Sequence, residues 1–211
     1  ALPTGEVLAQ AEVGTPLHLG IMPAVISSIL REFPIEVMRP GDMYITNLPY
    51  PEGPGHLPDL SMVGAVFHEG EPIALTASTA HHVDMGGFAP GSMPFGVTEI
   101  YQEGLRIPPL RIYDAGAPRQ DLLQMLSANV RHPENFLGDL NAQIGSVMIV
   151  SQRVETLLQA YGEERLLAAV RDILAATERQ VRQFISEWPD DVYQGESLVD
   201  DDGFDNRLIP I

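Results

Sequence analysis

The 211-residue chain contains no cysteine, and this absence removes several kinds of chemistry at once. It excludes disulfide bonds, thiolate metal ligands and a cysteine nucleophile, and it fits a reducing compartment. No uninterrupted apolar run reaches the length of a bilayer-spanning helix, and the start Ala1–Gly5 lacks the basic-then-apolar order of a signal peptide. We therefore expect a cytoplasmic protein without membrane association.

Basic side chains are also scarce. The chain has 12 Lys and Arg against 29 Asp and Glu, a formal net charge of -17, and no basic cluster that would attract phosphates. Nucleic acid and anionic membrane surfaces are therefore poor candidate partners. Hydrophobic residues, in contrast, make up 45% of the chain, enough to bury a core in one large domain or two small ones.

The two halves of the chain carry different patterns. Strand signals and glycine- and proline-rich loops fill the first half, and helical periodicity fills the second. The predicted fold class is α+β, with an antiparallel or mixed sheet followed by a helical part. The predicted regions, which are compatible with one continuous domain, are 1–118 (strand-rich, with the site), 119–189 (helical) and 190–211 (the start of a further β segment).

Three polar residues stand at the ends of a predicted hairpin. The hairpin turns at Glu69-Gly70, with His56 and Asp59 before its first strand and His81 after its second. Antiparallel pairing returns both ends to the same edge of the sheet. Two imidazoles and a carboxylate suit a divalent metal that keeps positions open for a substrate. In the alternative, structural interpretation, His-x-x-Asp is a chance pattern and Asp59 orients a backbone turn.

His82, Asp84 and Glu103 are candidates for a catalytic role. Side chains alternate along a strand, so His81 and His82 cannot both face the ion if the strand continues through them. One of the two histidines would then bind the ion, and the other would either contact the ligand residues or face the substrate. Glu103, like Glu99, could supply a general base or a further ligand, and simple solvation is the alternative.

The remaining polar residues have structural interpretations. His18, His68 and His132 have no partner at suggestive spacing, and we expect them to be structural. The segment 83–109 is dense in glycine and proline and too long for an ordinary connection, so we expect it to form the wall or lid of a substrate cleft. Another group either lines a cleft or forms a hydrogen-bonded helix junction: Asn129, Arg131, Asp139 and Gln143.

Ten segments, in order across most of the chain, resemble the hydantoinase B/oxoprolinase family, whose relatives include the metal-binding subunits of acetone and acetophenone carboxylases. They are Leu8–Glu12, Pro16–Met22, Gly41–Asp42, Asn47–Tyr50, Gly55–Asp59, Ala80–Gly87, Pro90–Pro94, Glu99–Pro109, Asn129–Arg131 and Gly138–Gln143. The resemblance implies a metal held by His56, Asp59 and His81, and ATP-dependent chemistry on cyclic amides or ketones. It also implies that a hydantoinase A-like partner handles the nucleotide, in keeping with the lack of a Gly-x-x-x-x-Gly-Lys-Ser/Thr loop here.

The chain departs from the family pattern in two respects. Leu48 replaces the acid of the usual Asn-Asp-Pro-Tyr, and Gly53-Pro54-Gly55 replaces the usual Gly-Gly-Thr before His56. These are the positions at which substrate class or metal detail would differ. Family members are also longer at both ends, so we expect the chain to be a fragment or one piece of a split subunit.

The leading hypothesis is a metal-dependent catalytic subunit of an ATP-coupled amidohydrolase that opens a hydantoin, oxoproline or lactam ring. Zinc or manganese is the expected ion, and a hetero-oligomer is the expected assembly. The alternative within the family is the metal-binding subunit of an ATP-dependent ketone carboxylase. Two other classes are a mononuclear iron oxygenase, which usually has His-x-Asp and many regular strands, and a non-catalytic assembly subunit.

Overall fold

The computed structural model describes residues 1–11, 16–199 and 209–210. Within them the first half forms a five-stranded antiparallel sheet and the second half forms long helices, which confirms the predicted α+β class. The sheet order is β3-β2-β1-β4-β5, with β1 at Met43–Thr46, β2 at Asp59–His68, β3 at Glu71–His81, β4 at Leu110–Asp114 and β5 at Ala117–Pro118.

The helices are α1 (Pro16–Glu32), α2 (Gln120–Ala128), α3 (Pro133–Tyr161) and α4 (Glu163–Ser186). Helix α3 begins with a proline, whose missing N–H is not needed in the first turn, and is followed directly by Gly162, which has a φ of 78°. No helix in the described part of the chain is both long enough and apolar enough to cross a membrane.

The β segment predicted over 190–211 is described only in part. A short antiparallel pair joins β6 (Leu198–Val199) to β7 (Ile209–Pro210). Positions 200–208 and 211 lie outside the described residues.

The predicted hairpin is present and is longer than expected. Strands β2 and β3 pair from Asp59 opposite His81 to His68 opposite Glu71, with a one-residue register shift between Val66 and Phe67. The turn residues Glu69 and Gly70 have φ values of 50° and 91°, the conformation that matches the twist of a tight hairpin. Asp59 and His81 are therefore paired terminal strand residues, whereas the sequence suggested that they lie in loops just beyond the strands.

Helices cover both faces of the sheet. Leu60 and Met62 point towards the core formed with α2 and α3, and Val63 points towards the core formed with α1. This alternation is the period of two expected of a β-strand. It places Asp59 on the α1 side of the sheet together with Val63. The buried stripe of α1 that packs on this face is Val25, Ile26 and Ile29.

Asn47, which directly follows β1, ties the loop before β2 to the segment before β4. Its buried amide nitrogen donates to the carbonyl oxygens of Leu57 (2.8 Å) and Leu105 (2.9 Å), and its oxygen accepts from the N–H of Ile107 (2.7 Å). The loop that carries His56 is thus fixed at the edge of the sheet where the hairpin ends.

Candidate metal centre

The ends of the hairpin bring His56, Asp59 and His81 into one cluster, called here the His-Asp-His cluster. Nε2 of His56 lies 2.9 Å from Oδ2 of Asp59, and Nδ1 of His81 lies 3.0 Å from Oδ1 of the same carboxylate. The two histidine nitrogens are 3.2 Å apart. The potential ligand atoms of the three side chains all lie within 4.8 Å of one another, close enough to share one ion.

Backbone pairing explains this convergence. Asp59 and His81 are directly opposite in an antiparallel pair, so their side chains project from the same face as close neighbours. A backbone hydrogen bond from the N–H of Asp59 to the carbonyl of His56 (3.2 Å) turns the preceding loop over the carboxylate. The positive φ of Gly55, 100°, allows the chain to enter this turn.

The cluster has a charged, buried centre and an open side. Asp59 has a side-chain exposure of 1%, whereas those of His56 and His81 are 32% and 45%. Burial would raise the pKa of Asp59, but hydrogen bonds with His18, His56 and His81 outweigh burial and lower it. The carboxylate therefore stays ionised, and the exposed imidazole edges leave room for a ligand from solvent.

A fourth residue, His18 in the first turn of α1, also reaches the cluster. Its Nε2 lies 3.0 Å from Oδ2 of Asp59. It is not among the atoms that lie within 4.8 Å of one another. No sequence motif links His18 to Asp59, so this contact was not predicted. One signal was available: His18 precedes Val25 by two helical turns, and so belongs to the stripe that packs on the sheet face carrying Asp59.

His82 lies on the opposite side of the sheet from the cluster. Its ring is fully buried and packs on Phe136, with ring centroids 5.1 Å apart. Nε2 of His82 is 2.9 Å from the side-chain oxygen of Gln143, whose amide nitrogen donates to the carbonyl of Leu60 at 2.8 Å. Burial lowers the pKa of His82. Gln143 thus forms a hydrogen-bonded junction between α3 and the hairpin, one of the two interpretations that the sequence left open.

Asp84 is buried and organises the loop that follows β3. Its carboxylate accepts backbone N–H groups from Gly86 (2.9 Å), Gly91 (3.0 Å) and Arg131 (3.0 Å), and it pairs with the Arg131 guanidinium at 2.9 Å. Burial would raise the pKa of Asp84, but these hydrogen bonds outweigh burial and lower it. Arg131 also donates to carbonyl oxygens of the same loop.

Glu103 is partly exposed and follows a 3-10 turn at Ile100–Gln102. The backbone at Glu103 packs tightly on Gly87, where an added Cβ would lie 2.6 Å from the Glu103 carbonyl carbon. Of the predicted site residues, the structure brings the three metal candidates together and keeps His82 and Asp84 in internal contacts. The catalytic roles of His82, Asp84 and Glu103 stay predictions.

The whole chain, residues 1–211, matches the family described as hydantoinase B/oxoprolinase. The chain belongs to this family, and the resemblance seen in the sequence is confirmed.

Three relatives illustrate the range of the family. A putative D-/L-hydantoinase subunit from Pseudomonas sp. strain NS671 is 32% identical over 199 residues, 93% of this chain and 33% of that protein. The acetophenone carboxylase delta subunit of Aromatoleum aromaticum is 30% identical over 203 residues, 96% of this chain and 29% of that protein.

The third relative has a solved structure. The ATP-dependent caprolactamase from Pseudomonas jessenii superposes with a TM-score of 0.83 at 32% identity, over 88% of this chain and 32% of that chain. The chain spans about a third of the length of the curated relatives that it matches.

Proposed function

We propose that this chain carries the metal-binding, catalytic part of an ATP-coupled amidohydrolase that opens a cyclic amide, namely a hydantoin, oxoproline or lactam ring. The observation that carries the proposal is the His-Asp-His cluster, whose potential ligand atoms lie within 4.8 Å of one another at the end of the hairpin. Similarity to a hydantoinase subunit and to a caprolactamase subunit supports the substrate class.

The residues of the cluster fit a divalent ion of the zinc or manganese type. The donor set of two nitrogens and one oxygen, without thiolate, suits both ions. Asp59 contributes a full negative charge because its pKa is lowered, and this charge offsets half of that of the cation. His56 and His81 contribute nitrogen atoms while their exposed edges leave a side open.

The proposal divides the reaction between two subunits. A hydantoinase A-like partner binds ATP and activates the amide oxygen by phosphorylation. A divalent ion held on this chain by the His-Asp-His cluster would supply Lewis acidity, which would activate water near neutral pH and stabilise negative charge developing on the attacked amide. His56, Asp59 and His81 hold the ion at the sheet edge, and the segment 83–109, anchored through Asp84, offers exposed apolar side chains for the ring: Phe88, Met93, Phe95 and Tyr101.

Glu103 is the remaining candidate for proton transfer. Glu103 is partly exposed, whereas Asp84 and His82 are buried, with the Asp84 carboxylate and Nε2 of His82 in internal hydrogen bonds. Within this proposal Asp84 and His82 contribute by holding the loop and the hairpin, and Glu103 contributes as a general base.

A second candidate function is the metal-binding part of an ATP-dependent ketone carboxylase. The similarity of the acetophenone carboxylase delta subunit over 96% of this chain favours it. An ion held by the same cluster would then supply Lewis acidity that activates the ketone as the acceptor for carbon dioxide.

One assay separates the two functions. The metal-supplemented protein, with its hydantoinase A-like partner, is given ATP and either a panel of hydantoins, oxoproline and lactams or ketones with bicarbonate. Ring opening that requires ATP and is abolished by His56→Ala supports the amidohydrolase. The matched control His68→Ala, at the far end of β2, should retain activity.

Other results have equally clear meanings. Turnover of ketones only with bicarbonate would establish the carboxylase instead. Full activity of His56→Ala would refute both functions at this cluster. The chain without its partner should hydrolyse no ATP, because its sequence has no Gly-x-x-x-x-Gly-Lys-Ser/Thr loop and carries a net charge of -17. Tight ATP binding by the chain alone would contradict the division of labour.

A further inference from the structure

His18 is the one described side chain outside the His-Asp-His cluster that hydrogen-bonds to the Asp59 carboxylate. We propose that His18 is a positioning residue, which donates its Nε2 proton to Oδ2 of Asp59 and so fixes the orientation of the carboxylate for the ion. This inference rests on the metal binding proposed above. In this inference His18 hydrogen-bonds to a metal ligand and does not itself bind the ion.

The two oxygens of Asp59 have different neighbours. Oδ1 faces His81 at 3.0 Å, and Oδ2 is shared between His56 at 2.9 Å and His18 at 3.0 Å. An ionised carboxylate only accepts hydrogen bonds, so a neutral His18 must carry its proton on Nε2 to make this contact. Nε2 of His18 is then a donor, and a donor nitrogen has no lone pair to offer an ion.

Ion binding would make this donor more important. The nitrogens of His56 and His81 that now contact Asp59 are those available for the ion, and a nitrogen that binds an ion no longer donates to the carboxylate. His18 then remains as the side-chain donor to a carboxylate that is 1% exposed. A buried carboxylate without a donor is free to turn away from the ion, and hydrogen-bonded partners of metal ligands typically affect metal affinity about 10–100-fold.

Helix α1 makes His18 a rigid donor. The side chain is 23% exposed, and its helix is held on the sheet by Val25, Ile26 and Ile29, all of them buried. The same sheet face carries Asp59 at the end of β2. The packing of α1 on this face of the sheet therefore also determines where His18 meets the Asp59 carboxylate.

The test compares two variants of equal side-chain length in the full chain. His18→Gln keeps an N–H near the position of Nε2, and His18→Met does not. Zinc affinity is measured by competition with a chelator. His18→Met should bind zinc about 10–100-fold more weakly, and His18→Gln should recover most of the loss. His68→Met, at the far end of β2, is the matched control and should bind like the unmodified protein.

A second measurement needs no variant. In the zinc-loaded, unmodified protein, ¹⁵N NMR of the His18 ring should show a proton on Nε2, as a donor requires. An unprotonated Nε2 could not donate to Asp59 and would overturn the inference. Equal, severe weakening in His18→Gln and His18→Met would have the same meaning.

The results also separate this inference from the proposed function. Unchanged zinc affinity in His18→Met, with normal binding by the unmodified protein, would refute the role of His18 alone. Absence of stoichiometric zinc in the unmodified protein would refute the metal centre, and the inference with it.

Discussion

Replacing Asp84 with asparagine tests whether this carboxylate holds the loop after β3 or acts on the substrate. In the protein Oδ1 accepts the backbone N–H groups of Gly86 and Arg131, and Oδ2 accepts Gly91 N–H and the Arg131 guanidinium. An asparagine has one acceptor oxygen. It can keep the first pair of hydrogen bonds, but its NH₂ group then faces the donors of the second pair.

The expected loss of stability follows from those two donors. Each buried donor left without a partner costs about 1–3 kcal/mol, so the two donors give about 2–6 kcal/mol for Asp84→Asn. Arg131 is 34% exposed and has other carbonyl partners, so the lower half of that range, about 2–4 kcal/mol, is expected. With a urea dependence of about 3 kcal/mol/M, the unfolding midpoint should fall by about 1 M.

The control and the pH dependence sharpen this test. Asp121→Asn removes a carboxylate from an exposed pair with Arg119 and should leave the midpoint near that of the unmodified protein, because water replaces the partner. The pKa of Asp84 is lowered in the fold, so its stabilising contribution is present above the unfolded pKa of about 4 and is lost as the pH falls through the lowered value. The difference between Asp84→Asn and the unmodified protein should therefore shrink below about pH 4. Reduced turnover with an unchanged urea midpoint would refute the structural role.

Two further substitutions test the packing around the site. Gly86 has a φ of 81°, and an added Cβ would lie 2.4 Å from the carbonyl oxygen of Asn129. Gly86→Ala should therefore lower the thermal midpoint well beyond the effect of the control Gly96→Ala, where φ is also positive but an added Cβ meets nothing within 4 Å. Equal midpoints in the two variants would contradict this packing. Gln143→Met removes the partner of buried His82 and should cost about 1–3 kcal/mol in urea unfolding. An unchanged midpoint would show that His82 finds another partner.

The hairpin and its cluster could be predicted because their signals are local. The Glu69-Gly70 turn predicts the hairpin and so brings Asp59 and His81 to the same end of the sheet. The exact pairing of Asp59 with His81, rather than with Ala80, also depends on the one-residue register shift between Val66 and Phe67, which the turn does not encode. The ends of α3 also carry local signals, a proline in its first turn and a glycine directly after its last residue. Strand pairing extends to Asp59 and His81, which the sequence placed just beyond the two strands.

The partners of buried polar residues could not be predicted in the same way. His18 reaches Asp59 only because α1 docks on one particular face of the sheet. Asp84, predicted to be catalytic, is buried with N–H groups of its own loop and with Arg131, which comes from a distant part of the chain. These contacts depend on how helices and loops pack, and no short motif encodes that packing.

Location of the ion is the most direct test of the central claim. The protein, supplemented with zinc or manganese, should contain one ion per chain, and anomalous scattering should place it within about 2.2 Å of His56 Nε2, a carboxylate oxygen of Asp59 and His81 Nδ1. His56→Ala should lose the ion, and His68→Ala should keep it. An absence of stoichiometric metal, or an ion bound away from these three side chains, would contradict the account.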